Sequence, residues 1–150
     1  MSFVISILME GYGWVSLVLI LHLLENVWML EQVGAARKKY KVFYPTMYAV
    51  ESENPQAKLF NCVQRAHQNV LEFMPTFISL LLVGGLQYPR LAAVLGLVYV
   101  VARYFFFKGY STGDPDKRLT SGGGFHYVGI IGLLFCTIGF TLHQLFPTLV

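Results

Sequence analysis

Four stretches of this chain are long and apolar enough to cross a lipid bilayer, and they limit what it can fold into more than any other feature of the sequence. A hydrocarbon layer about 30 Å thick takes roughly 20 mostly apolar residues in helical form, because each spanning segment must pair its own backbone N–H and C=O groups. The stretches cover residues 14–30, 60–86, 91–108 and 125–146. Between them lie a long connection at 31–59, the tight turn Gln87-Tyr88-Pro89-Arg90, and a third connection at 111–124. That third one carries the turn signals Gly113-Asp114-Pro115 and Gly122-Gly123-Gly124. The pattern predicts an all-α integral membrane protein with four transmembrane helices in a single domain over 1–150. Glu10 ahead of the first run, the lack of a basic leader and the basic cluster behind it predict an anchor that is kept, not a cleaved signal.

Composition closes off the soluble alternatives. Of 150 residues 55% are apolar and 13% charged, where soluble chains carry about a quarter charged. A disordered tail and a solvated enzyme of the usual kind are both excluded. The 11 Lys and Arg against 8 Asp and Glu leave +3, too little and too scattered to track a nucleic-acid backbone. Two cysteines, Cys62 and Cys136, cannot form a disulfide framework. Arg37, Lys38, Lys39, Lys41 and Lys58 fall in the first connection, and Lys108, Lys117 and Arg118 around the third, against Arg90 alone on the opposite side. The positive-inside rule therefore places connections one and three in the cytosol and both termini across the membrane.

The polar residues within the spans carry the functional signal. Arg65, Asn69 and Glu72 stand at i, i+4 and i+7, and Arg103, Phe106 and Tyr110 at i, i+3 and i+7, so each set shares one helix face. At 1.5 Å per residue Glu72 lies about 10 Å below Arg65, and Arg103 about 10 Å below Tyr110. The depths predict that Glu72 and Arg103 meet. A charge near the bilayer centre costs about 2.5–3.5 kcal/mol, so such groups are paired and mark functional sites. A structural Arg–Glu pin between helices is one reading; four polar members on two facing stripes favour a ligand cavity open to the cytosol. Other positions read as structural. Cys62 and His67 stand about 140° apart on a helix and cannot share a metal ion, so no metal is expected. His22 and Glu25 read as interhelical contacts, His126 as an interface residue and His143 as a membrane-exit residue. Gly122–Gly124 lacks the Lys-Ser/Thr of a phosphate loop and reads as a hinge, and Pro75 as a kink.

The stretch Phe60-Asn61-Cys62-Val63-Gln64-Arg65-Ala66-His67-Gln68-Asn69, continuing to Glu72 and Pro75, resembles the signature of the MAPEG family, membrane-associated proteins in eicosanoid and glutathione metabolism. Arg37-Lys38-Lys39-Tyr40-Lys41-Val42, with Tyr44-Pro45 and Met47-Tyr48, is similar to that family's first cytosolic loop. Lys108-Gly109-Tyr110-Ser111-Thr112-Gly113-Asp114-Pro115, with Lys117-Arg118, resembles the end of its third helix. The resemblance implies a homotrimer of left-handed four-helix bundles in the endoplasmic reticulum (microsomal) membrane. It also implies glutathione as co-substrate, bound between protomers near the cytosolic face. By motif position Arg65, His67, Asn69, Glu72, Arg103 and Tyr110 would bind glutathione, with Arg37 added from a neighbour, and Arg118 would activate the thiol. The implied activity is glutathione transfer to lipophilic electrophiles, as in leukotriene C synthase-like relatives, or reduction of lipid hydroperoxides. One branch of the family is instead a lipid-presenting scaffold without catalysis. Three positions depart from relatives: Phe73 and Phe106 stand where Tyr occurs, and Lys38 where an Arg occurs. Lys117 is a rival to Arg118.

Overall fold

A computed structural model describes residues 10–147; the terminal segments 1–9 and 148–150, to which the expected placement of the termini refers, lie outside them. The described residues form five α-helices and one 3-10 turn, with no β-strand among them. These are α1 (Tyr12–Tyr40), α2 (Ala57–Gln87), α3 (Pro89–Tyr110), α4 (Lys117–Thr120), the 3-10 turn Gly123–Phe125 and α5 (His126–Leu145). Four segments are long and apolar enough to cross a membrane: α1, α2, α3 and Gly123–Leu145. The protein is thus all-α with four candidate spans, and α2 runs on through Pro75 without interruption.

Only α1 departs much from the expected bounds, continuing to Tyr40 where hydropathy ends near residue 30. Hydropathy marks the part of a helix that faces lipid, not the helix itself. Residues 31–40 are mostly strong helix formers, and Met29, Val33 and Ala36 extend one buried stripe at i, i+4 and i+7. Arg37, Lys38 and Lys39 fill the last turn, where cations offset the negative end of the helix dipole. Lys41 then takes a left-handed conformation (φ 57°), and the Val42 N–H donates to the Arg37 carbonyl at 3.0 Å. This is the six-to-one bond of a Schellman stop.

The chain divides into two compact units; α1, α2 and α3 supply residues to both, and α5 lies wholly in the first. The first comprises 10–22, 74–101 and 126–147 of the described residues. Its core is Val15, Val18, Phe77, Leu81, Ala92, Tyr99, Val100 and Leu133. Backbones approach closely here, as apolar helices must when no hydrophobic effect drives them together. A Cβ at Gly129 would lie 2.8 Å from the Leu95 carbonyl oxygen and 2.9 Å from the Tyr99 backbone nitrogen. Thr137 Oγ1 donates to the Leu80 carbonyl at 3.2 Å. His126, expected at the membrane interface, is instead buried, its ring 6.3 Å edge-on from Tyr99. His22 is likewise buried, edge-on to Phe77 at 4.8 Å, in the packing role expected.

Gly129→Ala should therefore destabilise the protein by about 1–3 kcal/mol, since backbone rather than a mobile side chain stands in the way. Gly34 has nothing within 4 Å of its Cβ position, and Gly34→Ala should gain up to about 1 kcal/mol from helix propensity. Thermal denaturation of the two variants in detergent should show melting points displaced in opposite directions.

The second unit comprises 23–73 and 102–125. Its core is Met29, Val33, Phe60, Val63, Ala66, Val70 and Phe107, with Trp28 packed on Tyr104 (5.2 Å) and Phe107 (5.3 Å). The connection 41–56 is tied down by side-chain amides. Asn61 accepts from the Ala49 N–H at 2.8 Å and donates back to the Ala49 carbonyl at 2.9 Å, while Asn54 donates to the Tyr40 carbonyl at 2.9 Å.

Candidate functional site

All eight residues singled out from the sequence fall in the second unit. The helical repeat puts Arg65, Asn69 and Glu72 on one face of α2, and there Arg65 Nη1 donates to Glu72 Oε1 at 2.5 Å. Both side chains remain accessible, at 39% and 45% of their full exposure. Asn69 Nδ2 reaches the other Glu72 oxygen at 3.5 Å. From α3, Arg103 Nη1 donates to Asn69 Oδ1 at 2.9 Å and Nη2 to the Asn69 carbonyl at 3.2 Å.

The expected Glu72–Arg103 pair is not what forms. Glu72 is held by Arg65 and Asn69, and Asn69 links it to Arg103. The depth argument is met, but an Arg two turns earlier on the same stripe is within reach of the carboxylate. Arg103, for its part, is fully enclosed, so within the protomer it acts on the accessible pair through Asn69. Its guanidinium carbon lies 4.7 Å from the Phe73 ring and 4.9 Å from the Phe106 ring. The two positions that lack a hydroxyl thus provide aromatic faces for a buried cation.

Tyr110 ends α3, and Arg118 on α4 lies with its guanidinium carbon 5.5 Å from the Tyr110 ring centre. Arg118 Nη1 donates to the Pro115 carbonyl at 2.5 Å. Lys117, the rival, is exposed and faces Asp114 at 3.8 Å. Two glycines let α4 lie directly on α3. A Cβ at Gly109 would overlap the Lys117 carbonyl, and one at Gly123 would overlap the Arg118 carbonyl and the Phe106 backbone. The Gly122–Gly124 run, read from composition as a hinge, is also a packing device. Gly122 supplies a left-handed residue (φ 93°) and Gly123 a site with no room for a side chain.

Arg37 and His67 are not brought into this group. Arg37 is buried and spends its terminal nitrogens on the Thr46 carbonyl (2.7 Å), the Val42 carbonyl (3.4 Å) and Gln64 Oε1 (3.3 Å), under the Tyr44 ring at 4.3 Å. It shapes the connection 41–56. His67 sits about 200° round α2 from Arg65 and is buried. The helical arithmetic that separates it from Cys62 also separates it from the polar stripe. Residues that sequence reasoning passed over are Asn61 and Gln64, which anchor the connection, and Gly109 and Gly123, which seat Arg118. The signal for the amides was their place in the motif, Asn61 one turn before Arg65 and Gln64 beside it; for the glycines there was none beyond turn propensity.

The arrangement is an accessible plus–minus pair, backed by a buried cation, with a third arginine held against a tyrosine. That suits a small polar ligand bearing both charges. Among the described residues no three His, Cys, Asp or Glu side chains gather as a metal site.

Known proteins match this pattern. Microsomal glutathione S-transferase 2 of Homo sapiens is 42% identical over 105 residues, covering 69% of this chain and 64% of the relative. The Bos taurus protein of that name is 40% identical over the same shares. Leukotriene C4 synthase of Bos taurus is 34% identical over 87 residues, 57% of this chain and 53% of its own length. The chain thus spans a little under two thirds of the length of the first of these relatives. Its spacing from Tyr110 to Arg118 resembles microsomal glutathione transferase 3, another member of the same group. The profile of the MAPEG family matches residues 15–139, across all four candidate spans, and the chain belongs to that family.

Proposed function

We propose that this protein is a membrane-bound glutathione transferase with glutathione peroxidase activity toward lipid hydroperoxides. The observation that carries this reading is the accessible Arg65–Glu72 pair, bonded through Asn69 to Arg103, in the same compact unit as Arg118 and Tyr110. Bound glutathione would supply the sulfur nucleophile for an electrophilic carbon or a peroxide oxygen. The residues fit it by charge exchange. Arg65 trades the Glu72 carboxylate for a carboxylate of the tripeptide, and Glu72 trades Arg65 for its ammonium group, so neither charge is left unpaired.

Arg103 orients Asn69, Tyr110 closes the polar face, and Arg37 shapes the neighbouring connection. Arg118 supplies a permanent positive charge for the sulfur. A thiol has a free pKa of about 8.5 and reacts as its anion. A fixed guanidinium favours that anion where water is partly excluded, so no general base is needed. The bilayer delivers the apolar acceptor. The same reading has the chain as one membrane domain of the endoplasmic reticulum, a homotrimer with connections one and three in the cytosol. The microsomal transferase relatives and the four spans support the membrane placement and the distribution of basic residues the orientation; the trimer rests on the family resemblance alone.

Purified protein mixed with glutathione near neutral pH should show the ultraviolet absorbance of a thiolate, and should turn over a lipid epoxide and a fatty-acid hydroperoxide. Tight glutathione binding with only protonated thiol and no turnover would replace this reading with a lipid-presenting scaffold. Glu72→Ala should weaken glutathione binding in calorimetry while the oligomer stays intact; normal binding with faulty assembly would make the Arg65–Glu72 pair structural.

A further inference from the structure

A second hollow opens in the same unit, apart from the Arg65–Glu72 group. It is a cavity of ≈ 410 Å³ between the end of α1 and the end of α3. Trp28, Val63 and Phe107 supply apolar wall, and Lys39, Lys108 and Ser111 supply polar wall. Along α1 the rise from Trp28 to Lys39 is about 16 Å, so the α1 wall runs from an aromatic to a cationic side chain, while on α3 Lys108 directly follows Phe107. Lys39 and Lys108 occupy the last turns of two helices long and apolar enough to cross a membrane, the side on which the headgroups of one leaflet would lie.

Offsetting the helix dipoles is a sufficient reason for lysines at these positions. It does not explain the hollow beneath them, nor the Ser111 hydroxyl. The Ser111 Oγ is buried with no hydrogen-bond partner among the described residues, a state that proteins seldom leave uncompensated. Neither lysine has a carboxylate within ion-pair distance among the described residues; Lys39 rests over the Tyr40 ring at 5.0 Å. The volume lies within the range of small-molecule sites. A water-soluble anion gains nothing from Trp28 and Phe107, and a hydrocarbon chain gains nothing from two ammonium groups. An amphiphile with a negative head uses both.

We propose that this cavity binds the phosphate-bearing headgroup of an anionic membrane lipid. Lys39 and Lys108 hold the phosphate, and the first acyl carbons lie along Trp28 and Phe107. Basic pockets between membrane helices recognise acidic lipids by this chemistry. The proposal does not depend on the glutathione reading, and glutathione binding serves as its internal control.

The test uses the full-length protein in a neutral detergent, titrated with dioctanoyl phosphatidylglycerol, dioctanoyl phosphatidylcholine or inorganic phosphate, and followed by thermal shift and native mass spectrometry. The anionic lipid should bind saturably and raise Tm. Lys39→Gln with Lys108→Gln should weaken it about 30-fold, at about a tenfold factor per 1.4 kcal/mol and about 1 kcal/mol for each lysine at a lipid surface. Ala35→Trp, which builds into the hollow from an exposed position without changing charge, should block it as well. Glutathione affinity should hold in all variants. Equal binding of the choline lipid, or unchanged affinity in the double variant and in Ala35→Trp, would overturn the proposal. An equal Tm rise with inorganic phosphate alone would also overturn it, by assigning the site to a free anion.

Discussion

Arg118→Ala will lower the turnover of glutathione with a lipid electrophile by about 100-fold or more, the usual cost of removing a charge that stabilises a developing anion. Glutathione binding will remain near the wild-type value. The reasoning is geometric. Arg118 lies against Tyr110 and is steadied by the Pro115 carbonyl, whereas the accessible Arg65–Glu72 pair, proposed to take the tripeptide's charges, does not involve it. Steady-state kinetics and calorimetry on the same preparation separate the two quantities. Lys117→Ala removes only an exposed pair with Asp114, a contact of little energetic weight, and should leave turnover close to wild type. Loss of turnover in Lys117→Ala with Arg118→Ala unaffected would transfer the role to Lys117.

Arg103 carries the second large effect. It is fully enclosed, bonds twice to Asn69 and stands between the Phe73 and Phe106 rings. Arg103→Ala should cost about 3 kcal/mol, from the cavity it leaves and from the Asn69 oxygen it strands. Arg103→Met keeps most of the volume between the rings and should recover much of that stability. It leaves the Asn69 amide unoriented, however, so glutathione affinity should still fall about tenfold. Melting curves and titrations of both variants give the answer. A methionine variant that is stable and binds normally would reduce Arg103 to a packing residue.

Much of this architecture could be read from hydropathy and spacing. The spans are where about 20 apolar residues must be helical, and the stripe of Arg65, Asn69 and Glu72 follows from 3.6 residues per turn. Both are local properties of a chain in a bilayer. The polar connections were harder. α1 outlasts its apolar run because the buried face of Met29, Val33 and Ala36 continues past the lipid boundary, and hydropathy averages over faces. His67 stands apart from the Arg65 stripe within the protomer for a reason the sequence did contain, its position round the helix, whereas the motif groups it with Arg65 by adjacency.

The amino-acid order by itself determined that the protein is helical, that it has four spans, and that its charged residues collect on two faces near one end of them. It also determined the family, since the motif lies within contiguous residues of α2. Which charges pair was decided only by tertiary structure. Glu72 joined Arg65 rather than Arg103, Arg103 went under two aromatic rings, and Arg37 went to the carbonyls of a connection. The reason is that long cationic side chains have several acceptors within reach at similar cost. The choice among them depends on distances of a few ångströms, which sequence spacing does not give.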